Sequence, residues 1–260
     1  MNCRFAKEEK NLLCELIKKE KLSEQVYDFT VFCPEMAEKT KPGQFLHILC
    51  GGEAYLRRPI SVCEVIDKKS IRFIFSVKGK GTDALSLKKV GDQLDILGPL
   101  GNGFGADENS GRVLLVGGGI GIFPLLELSK KFGKRASVLL GFKTEAEMML
   151  TDEFAQYAEN VFVATDDGSC GYKGLVTDLL KNIAASNDVS GIYICGPTPM
   201  MRAAAAVAKE YGIYAEVSLE ERMGCGVGAC VTCACTVAGQ RKRVCKDGPV
   251  FIASEVEWDG

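Results

Sequence analysis

The chain has 260 residues with 47% apolar and 25% charged side chains and a formal net charge of −2. This is enough for about two domains at roughly 100–200 residues each, too apolar for a disordered chain, and too evenly charged to indicate a nucleic-acid partner. Twelve cysteines and one histidine, His47, exclude a His-rich metal site and a Rieske-type cluster, which takes two histidines.

The opening residues, MNCRFAKEEK, contain no apolar run of the kind a secretory signal needs. Strand-like segments follow at Leu13–Lys19, Gln25–Phe32, Phe45–Cys50 (after the Pro42-Gly43 turn), Ser70–Val77 and Gln93–Leu97. Short, closely spaced strands with turn residues between them predict an antiparallel barrel or sandwich. Arg57-Arg58-Pro59-Ile60-Ser61 is placed between two of these strands. Its arginines suit a phosphate, although two solvated arginines on a strand edge would read the same way. Gly79-Lys80-Gly81-Thr82 opens a short helix predicted over Thr82–Lys89, as an ordinary cap or as N–H donors to a diphosphate.

A linker rich in Gly, Asp, Asn and Ser, Gly105–Gly111, leads to alternating strands and helices, which predict a parallel α/β sheet. Its strands are Val113–Val116, Ser137–Gly141, Asn160–Thr165 and Gly191–Cys195, and its helices include Phe123–Phe132 and Met200–Tyr211. The most apolar stretch, Val113–Leu128, is broken by glycines and Pro124 and is shorter than the ~20 residues of a membrane helix. A soluble, cytoplasmic protein without a membrane segment is therefore expected. Gly117-Gly118-Gly119-Ile120-Gly121 follows the first strand and precedes a helix, either as a tight turn or as a pyrophosphate site. Pro124 stands where the last glycine of a G-x-G-x-x-G pattern would be. Cys195-Gly196-Pro197-Thr198-Pro199-Met200 follows the last strand, where small residues let a planar ring approach.

Residues 217–260 are Cys- and Gly-rich with little apolar periodicity, so a metal group rather than a core is expected to hold them. Cys225-x4-Cys230-x2-Cys233 has the spacing of plant-type [2Fe-2S] ferredoxins, and Cys245 is the fourth candidate. The alternatives are a zinc site, though only one Cys-x2-Cys knuckle is present, and an exchange of Cys233 for Cys235. The expected division is thus 1–108, 109–216 and 217–260.

The order of these motifs resembles the ferredoxin–NADP reductase superfamily over nearly the whole chain. The runs from Ser218 to Cys230 and from Arg243 to Phe251 are more specific and resemble the electron-transfer subunits of type B dihydroorotate dehydrogenases. That resemblance implies an FAD-binding barrel, an NAD-binding α/β domain and a [2Fe-2S] module. It implies FAD contacts at Arg58, Pro59, Ile60, Ser61, Ile74, Phe75, Ser76, Gly81 and Thr82, with Ser76 standing where a longer, basic residue is expected. Nucleotide contacts are implied at Gly117, Gly118, Gly119, Gly121, Cys195, Gly196 and Pro197, with Cys195 positioning the nicotinamide. Cluster ligands fall on Cys225, Cys230, Cys233 and Cys245, the last resting on the Arg-Val-Cys-Lys-Asp-Gly-Pro match. The expected partner is an FMN-containing dihydroorotate dehydrogenase catalytic subunit, two copies of each chain forming a heterotetramer in pyrimidine biosynthesis. Electrons would pass from that FMN through the cluster and FAD to NAD+. Lys143 leaves NADP open as well. The rival readings are a flavin subunit of an NADH-dependent ferredoxin:NADP+ oxidoreductase or sulfide dehydrogenase, and a zinc-stabilised nucleotide-binding regulator.

Overall fold

The structure is a computed structural model and describes residues 10–106, 111–185 and 188–258. Most of the opening decapeptide and the centre of the expected linker, residues 107–110, lie outside the described residues.

Six antiparallel strands close a barrel: β1 (Lys10–Lys21), β2 (Val26–Phe32), β3 (Phe45–Leu49), β4 (Arg58–Ile66), β5 (Ser70–Ser76) and β6 (Gln93–Leu100), in the order β1-β2-β5-β4-β3-β6. The short helix α1 (Pro34–Ala37) links β2 to β3, and α2 (Lys80–Ser86) links β5 to β6. Alternate side chains of these strands point inward, and the filling is aromatic: Phe29 and Phe73 are fully buried with ring centroids 5.8 Å apart.

Two local readings are corrected. Arg58–Ser61 does not lie between strands but begins β4, with Pro59 tolerated near the strand's start. The helix predicted over Thr82–Lys89 runs from Lys80 to Ser86. Thr82 is its third residue, and the Thr82 hydroxyl accepts from the amides of Lys78 (2.9 Å) and Gly79 (3.2 Å), so the helix starts before it. Beyond Ser86 the chain turns, with the Lys89 amide donating to Asp92 (2.9 Å).

The second body is a seven-stranded sheet. Its elements are β7 (Val113–Gly118), α3 (Phe123–Phe132), β8 (Ala136–Phe142), α4 (Thr151–Tyr157), β9 (Asn160–Thr165), β10 (Tyr172–Lys173), α5 (Val176–Ala184), β11 (Gly191–Cys195), α6 (Thr198–Glu210) and β12 (Ala215–Ser218). The C-terminal piece adds the hairpin β13 (Ala234–Val237) and β14 (Gln240–Arg243), then β15 (Val250–Ile252). The order is β10-β9-β8-β7-β11-β12-β15, parallel throughout except that β15 runs antiparallel to β12. Strand order reverses between β7 and β11, the switch point at which open α/β sheets receive ligands. The sheet also crosses the boundary expected at residues 216/217. No described helix is long and apolar enough to cross a membrane.

Barrel and sheet are joined along β4 and α3. Arg72 of β5 is buried and donates to Asp28 through Nε (2.9 Å) and Nη2 (2.7 Å), to Glu64 (3.2 Å), and across the seam to Glu153 of α4 (3.0 Å). Lys130 of α3 reaches Glu64 (2.9 Å), and the Val65 amide donates to Glu127 (2.9 Å). Burial alone would lower the Arg72 pKa, but Glu153 and Asp28 hold it above its usual range. Removing one partner of a buried ion network leaves charge uncompensated, at about 3–5 kcal/mol. Arg72→Met should therefore lower the stability measured by urea unfolding by that amount, whereas Lys18→Met, at an exposed ion pair, should change it by less than about 1 kcal/mol.

Candidate functional site

A cavity of about 380 Å³ opens where barrel, sheet and C-terminal piece meet. Of the residues expected to hold a flavin, Arg58, Pro59, Ile60, Ser61, Ile74, Phe75, Ser76 and Thr82 line it. Gly81 stands just behind, where a Cβ would lie 2.6 Å from Arg58 Nε. The two arginines divide. Arg57 turns away to pair with Asp95 (2.9 Å), while Arg58, braced by the Leu56 carbonyl (2.6 Å), faces the cavity. Lys78 and Lys80 add positive charge to the same lining, beside the short Ser76. A concave site of this size with an apolar floor and a basic edge fits a cofactor carrying a ring system and a diphosphate.

The sequence reading missed Phe45, Lys78, Ile120, Phe123, Pro124 and Pro249 in this lining. All but Phe45 lie in or beside a motif, Ile120 within the glycine run and Pro249 within the run from Arg243 to Phe251. Ser218, Glu220 and Glu221 also line the cavity, so the run that carried the resemblance supplies wall as well as cysteines.

The glycine-rich turn and the Cys195 turn meet at the switch point. A Cβ on Gly121 would lie 2.4 Å from the Gly196 Cα, so the turns that follow β7 and β11 touch backbone to backbone. Gly121 lines the cavity. Gly117 and Gly118 instead lie within β7 and pack on Ile122 and Met200, and Gly119, Gly196 and Pro197 are not part of the lining. Cys195 sits one layer behind the wall, aligned with Ser218 on β12. Burial, then the nearby Glu220, pushes its thiol well above the usual range, although the Ser218 hydroxyl pulls the other way. It is a protonated packing group here and no thiolate nucleophile.

Cys225, Cys230, Cys233 and Cys245 come together in the C-terminal piece as two pairs, Cys225 with Cys230 and Cys233 with Cys245. Every one of the four sulfurs accepts a hydrogen bond. Cys225 Sγ accepts from the amides of Ala229 (3.2 Å) and Cys230 (3.4 Å), Cys230 Sγ from the Thr232 hydroxyl (3.2 Å), Cys233 Sγ from the Cys245 amide (3.4 Å), and Cys245 Sγ from the Gly228 amide (3.1 Å). Among the described residues no three potential ligands converge as a single-ion site requires. Two thiol pairs instead suit a group of two irons with two cysteines on each. The Thr232 hydroxyl and backbone beside the exposed Cys230 pull its thiol down to about 6, while burial and Cys233 push Cys245 up to about 12. Cys235 lies on β13 opposite Lys242, its thiol raised by burial to about 11.

The loop is tied down from both sides. Arg243 pairs with Asp247 (3.1 Å) and donates to the Gly228 carbonyl (3.0 Å). Asn102, beyond β6, donates to the Asp247 carbonyl (3.0 Å). Phe45 and Leu100 of the barrel pack with Cys233, Val244 and Cys245 in one apolar cluster. His47 is fully buried on the same strand as Phe45, and burial beside Arg57 pushes its pKa down to about 4, so the ring is neutral near pH 7.

Residues 220–257 match the iron–sulfur cluster binding domain of dihydroorotate dehydrogenase B, and residues 115–206 an oxidoreductase NAD-binding domain. The dihydroorotate dehydrogenase B (NAD+) electron transfer subunit of Geobacillus thermodenitrificans is 44% identical over 252 residues, covering 93% of this chain and 96% of the relative. That of Bacillus caldolyticus is 46% identical over 246 residues, covering 90% and 94%. This chain belongs to the dihydroorotate dehydrogenase B electron transfer subunits. A chain of the NADH-dependent reduced ferredoxin–NADP oxidoreductase, solved in a study of flavin-based electron bifurcation, is 38% identical with a TM-score of 0.86, covering 95% of this chain and 91% of that one. The ferredoxin–NADP+ reductase of Neisseria gonorrhoeae, with bound FAD and NADP, shares the fold at a TM-score of 0.64 and 19% identity.

In a member of this family the contact of Gly121 with Gly196 is testable. Gly121→Ala forces the turns after β7 and β11 apart, and NADH affinity in a fluorescence titration should fall at least about tenfold, or about 1.4 kcal/mol. Gly133→Ala, at an open site with positive φ, should lower thermal stability without changing that affinity.

Proposed function

We propose that the chain is the electron-transfer component of an NAD-dependent dihydroorotate dehydrogenase and serves an FMN-containing catalytic subunit in the oxidation of dihydroorotate to orotate, as a complex with two copies of each. The observation that carries this reading is the four-cysteine loop, each sulfur hydrogen-bonded, whose flanking residues Ser218–Glu221, Met223 and Pro249 wall one side of a cavity otherwise formed by barrel and nucleotide domain. A flavin exchanges electrons in pairs with a nicotinamide and singly with an iron–sulfur cluster.

The chain's own residues bind and orient. Arg58, Lys78, Lys80 and Thr82 would hold the FAD diphosphate, with Ile60, Ser61 and the strand Ile74–Ser76 along the ring. Gly121, and the turn Cys195–Pro197 behind it, would let the nicotinamide approach that ring. Cys195 and Ser218 fix the depth of this approach. Cys225, Cys230, Cys233 and Cys245 would hold the [2Fe-2S] cluster. No acid or base of this chain is needed, because the protons of dihydroorotate are handled where that substrate binds.

A second reading, a subunit of an NADH-dependent ferredoxin–NADP oxidoreductase, is favoured by the structural similarity at 38% identity. Co-purification separates the two. With a candidate catalytic subunit, the complex should be brown-yellow, release FAD on denaturation, and reduce NAD+ when given dihydroorotate. A complex that ignores dihydroorotate but reduces ferredoxin would sustain the second reading, and a colourless protein containing zinc would sink both.

The ligand set is tested by iron content. Cys233→Ser and Cys245→Ser should lose most bound iron, whereas Cys235→Ser should keep it. Cys195→Ser should slow NADH reduction of the bound flavin and leave FAD content unchanged, and an unaltered rate would remove Cys195 from the site.

A further inference from the structure

His47 is the only histidine in the chain. Its neighbours on β3, Leu46 and Ile48, fill the barrel. The His47 ring therefore faces outward, yet it has no exposed surface. Neither Nδ1 nor Nε2 has a hydrogen-bond partner. Buried polar atoms are almost always paired, and an apolar side chain of similar size would fill this position without leaving two nitrogens unsatisfied.

What covers the ring is the cysteine loop. An ideal Cβ on Gly226 would lie 2.5 Å from His47 Nδ1, and Gly226 adopts φ +73°. The backbones of Arg57 and Cys225 are each close enough to favour a proton on the ring, without completing a hydrogen bond. Gly226 stands between Cys225 and the amides of Gly228, Ala229 and Cys230, which donate to Cys245 and Cys225. Two residues earlier on the same face of β3, Phe45 packs with Cys233 and Cys245. The outward face of β3 is thus the floor of the four-cysteine site, and the unpaired edge of His47 is its polar spot.

Resting on the iron–sulfur reading above, we propose that His47 is a positioning residue of the cluster site, its ring N–H giving an outer hydrogen bond to the Cys225 sulfur and so raising the cluster's reduction potential. Reduction adds negative charge at the ligating sulfur, and a fixed N–H dipole stabilises that state more than the oxidised one. Gly226 belongs to the same device, because any side chain there would displace the ring.

The test uses the untagged full chain with its cluster, in which ¹⁵N-histidine labelling marks this ring alone. Pulsed EPR of the dithionite-reduced protein should show one weakly coupled imidazole nitrogen. The midpoint potential should fall in His47→Leu and stay close to wild type in His47→Asn, which keeps an N–H near the Nδ1 position. Thermal melting and FAD content, which report packing, should change little in either variant. Absence of nitrogen coupling in the wild type, or a potential that is the same in wild type and His47→Leu, would overturn the proposal. So would an equal shift in both variants, which marks a packing effect. If His47→Leu does not retain the cluster, the wild-type nitrogen coupling decides. A chain with neither bound iron nor a reduced-state signal would overturn the iron–sulfur reading itself, an outcome distinct from a loaded cluster that does not sense His47.

Discussion

Like charges brought together set the terms for the C-terminal piece. Two unit charges about 4 Å apart repel by about 4 kcal/mol at an effective dielectric of about 20, and this segment gathers four cysteines that must act as thiolates to hold a metal group. Hydrogen bonds to charged groups are worth about 1.5–3 kcal/mol each, so donors on every sulfur offset part of that repulsion, and the positive charge of a bound metal group would offset the rest. Their supply dictates the local backbone. Gly226 and Gly228 take φ +73° and φ +81°, which turns the amides of Gly228, Ala229 and Cys230 inward. Arg243 places its charge near Cys245 and Cys233 while holding the Gly228 carbonyl. The apolar backing comes from the barrel, through Phe45 and Leu100, because the segment has little core of its own.

The seam between barrel and sheet is organised along two neighbouring elements, β4 and α3. Their first residues, Arg58–Ser61 and Phe123–Pro124, open onto the cavity. Their later residues, Glu64–Val65 and Glu127–Lys130, join the two bodies by ion pairs and hydrogen bonds. Rigid attachment at one end lets the other end stay open as a cleft without leaving the two bodies free to drift. The flavin and nicotinamide sites proposed for barrel and sheet would thereby be held at a fixed separation, as transfer between two bound rings demands.

Much of this was legible in the sequence, for physical reasons. Closely spaced strands with turn residues between them indicated an antiparallel barrel or sandwich, and fully apolar short strands alternating with helices indicated the parallel sheet, because both patterns follow from which faces are buried. Cysteine spacing indicated the cluster-binding segment, since ligand geometry constrains sequence directly there. Other features stayed hidden where one residue type serves two roles. Arg57-Arg58-Pro59 reads as a loop, yet Arg58 and Pro59 begin β4, and only the fold shows that Arg57 is structural while Arg58 faces the cavity. Arg72 carried a usable signal: a lone charge inside Ser70-Ile-Arg-Phe-Ile-Phe-Ser76 has to meet a carboxylate once buried. His47 served only to exclude histidine-rich sites, because nothing local marks a residue whose cover comes from about 180 positions further along the chain.

The antiparallel pairing of β15 with β12 aligns Ser218 with Val250. Everything between them, cysteines included, is therefore a closed loop rather than a tail, its two ends fixed about 4.8 Å apart, one strand spacing. Closing a loop costs entropy once, and the cost grows only slowly with length. Here the pairing of β15 with β12 meets that cost within the sheet. With that pairing in place, a chain without its cluster would keep the loop's ends together, and reassembly would begin from a tethered segment and not from a free one.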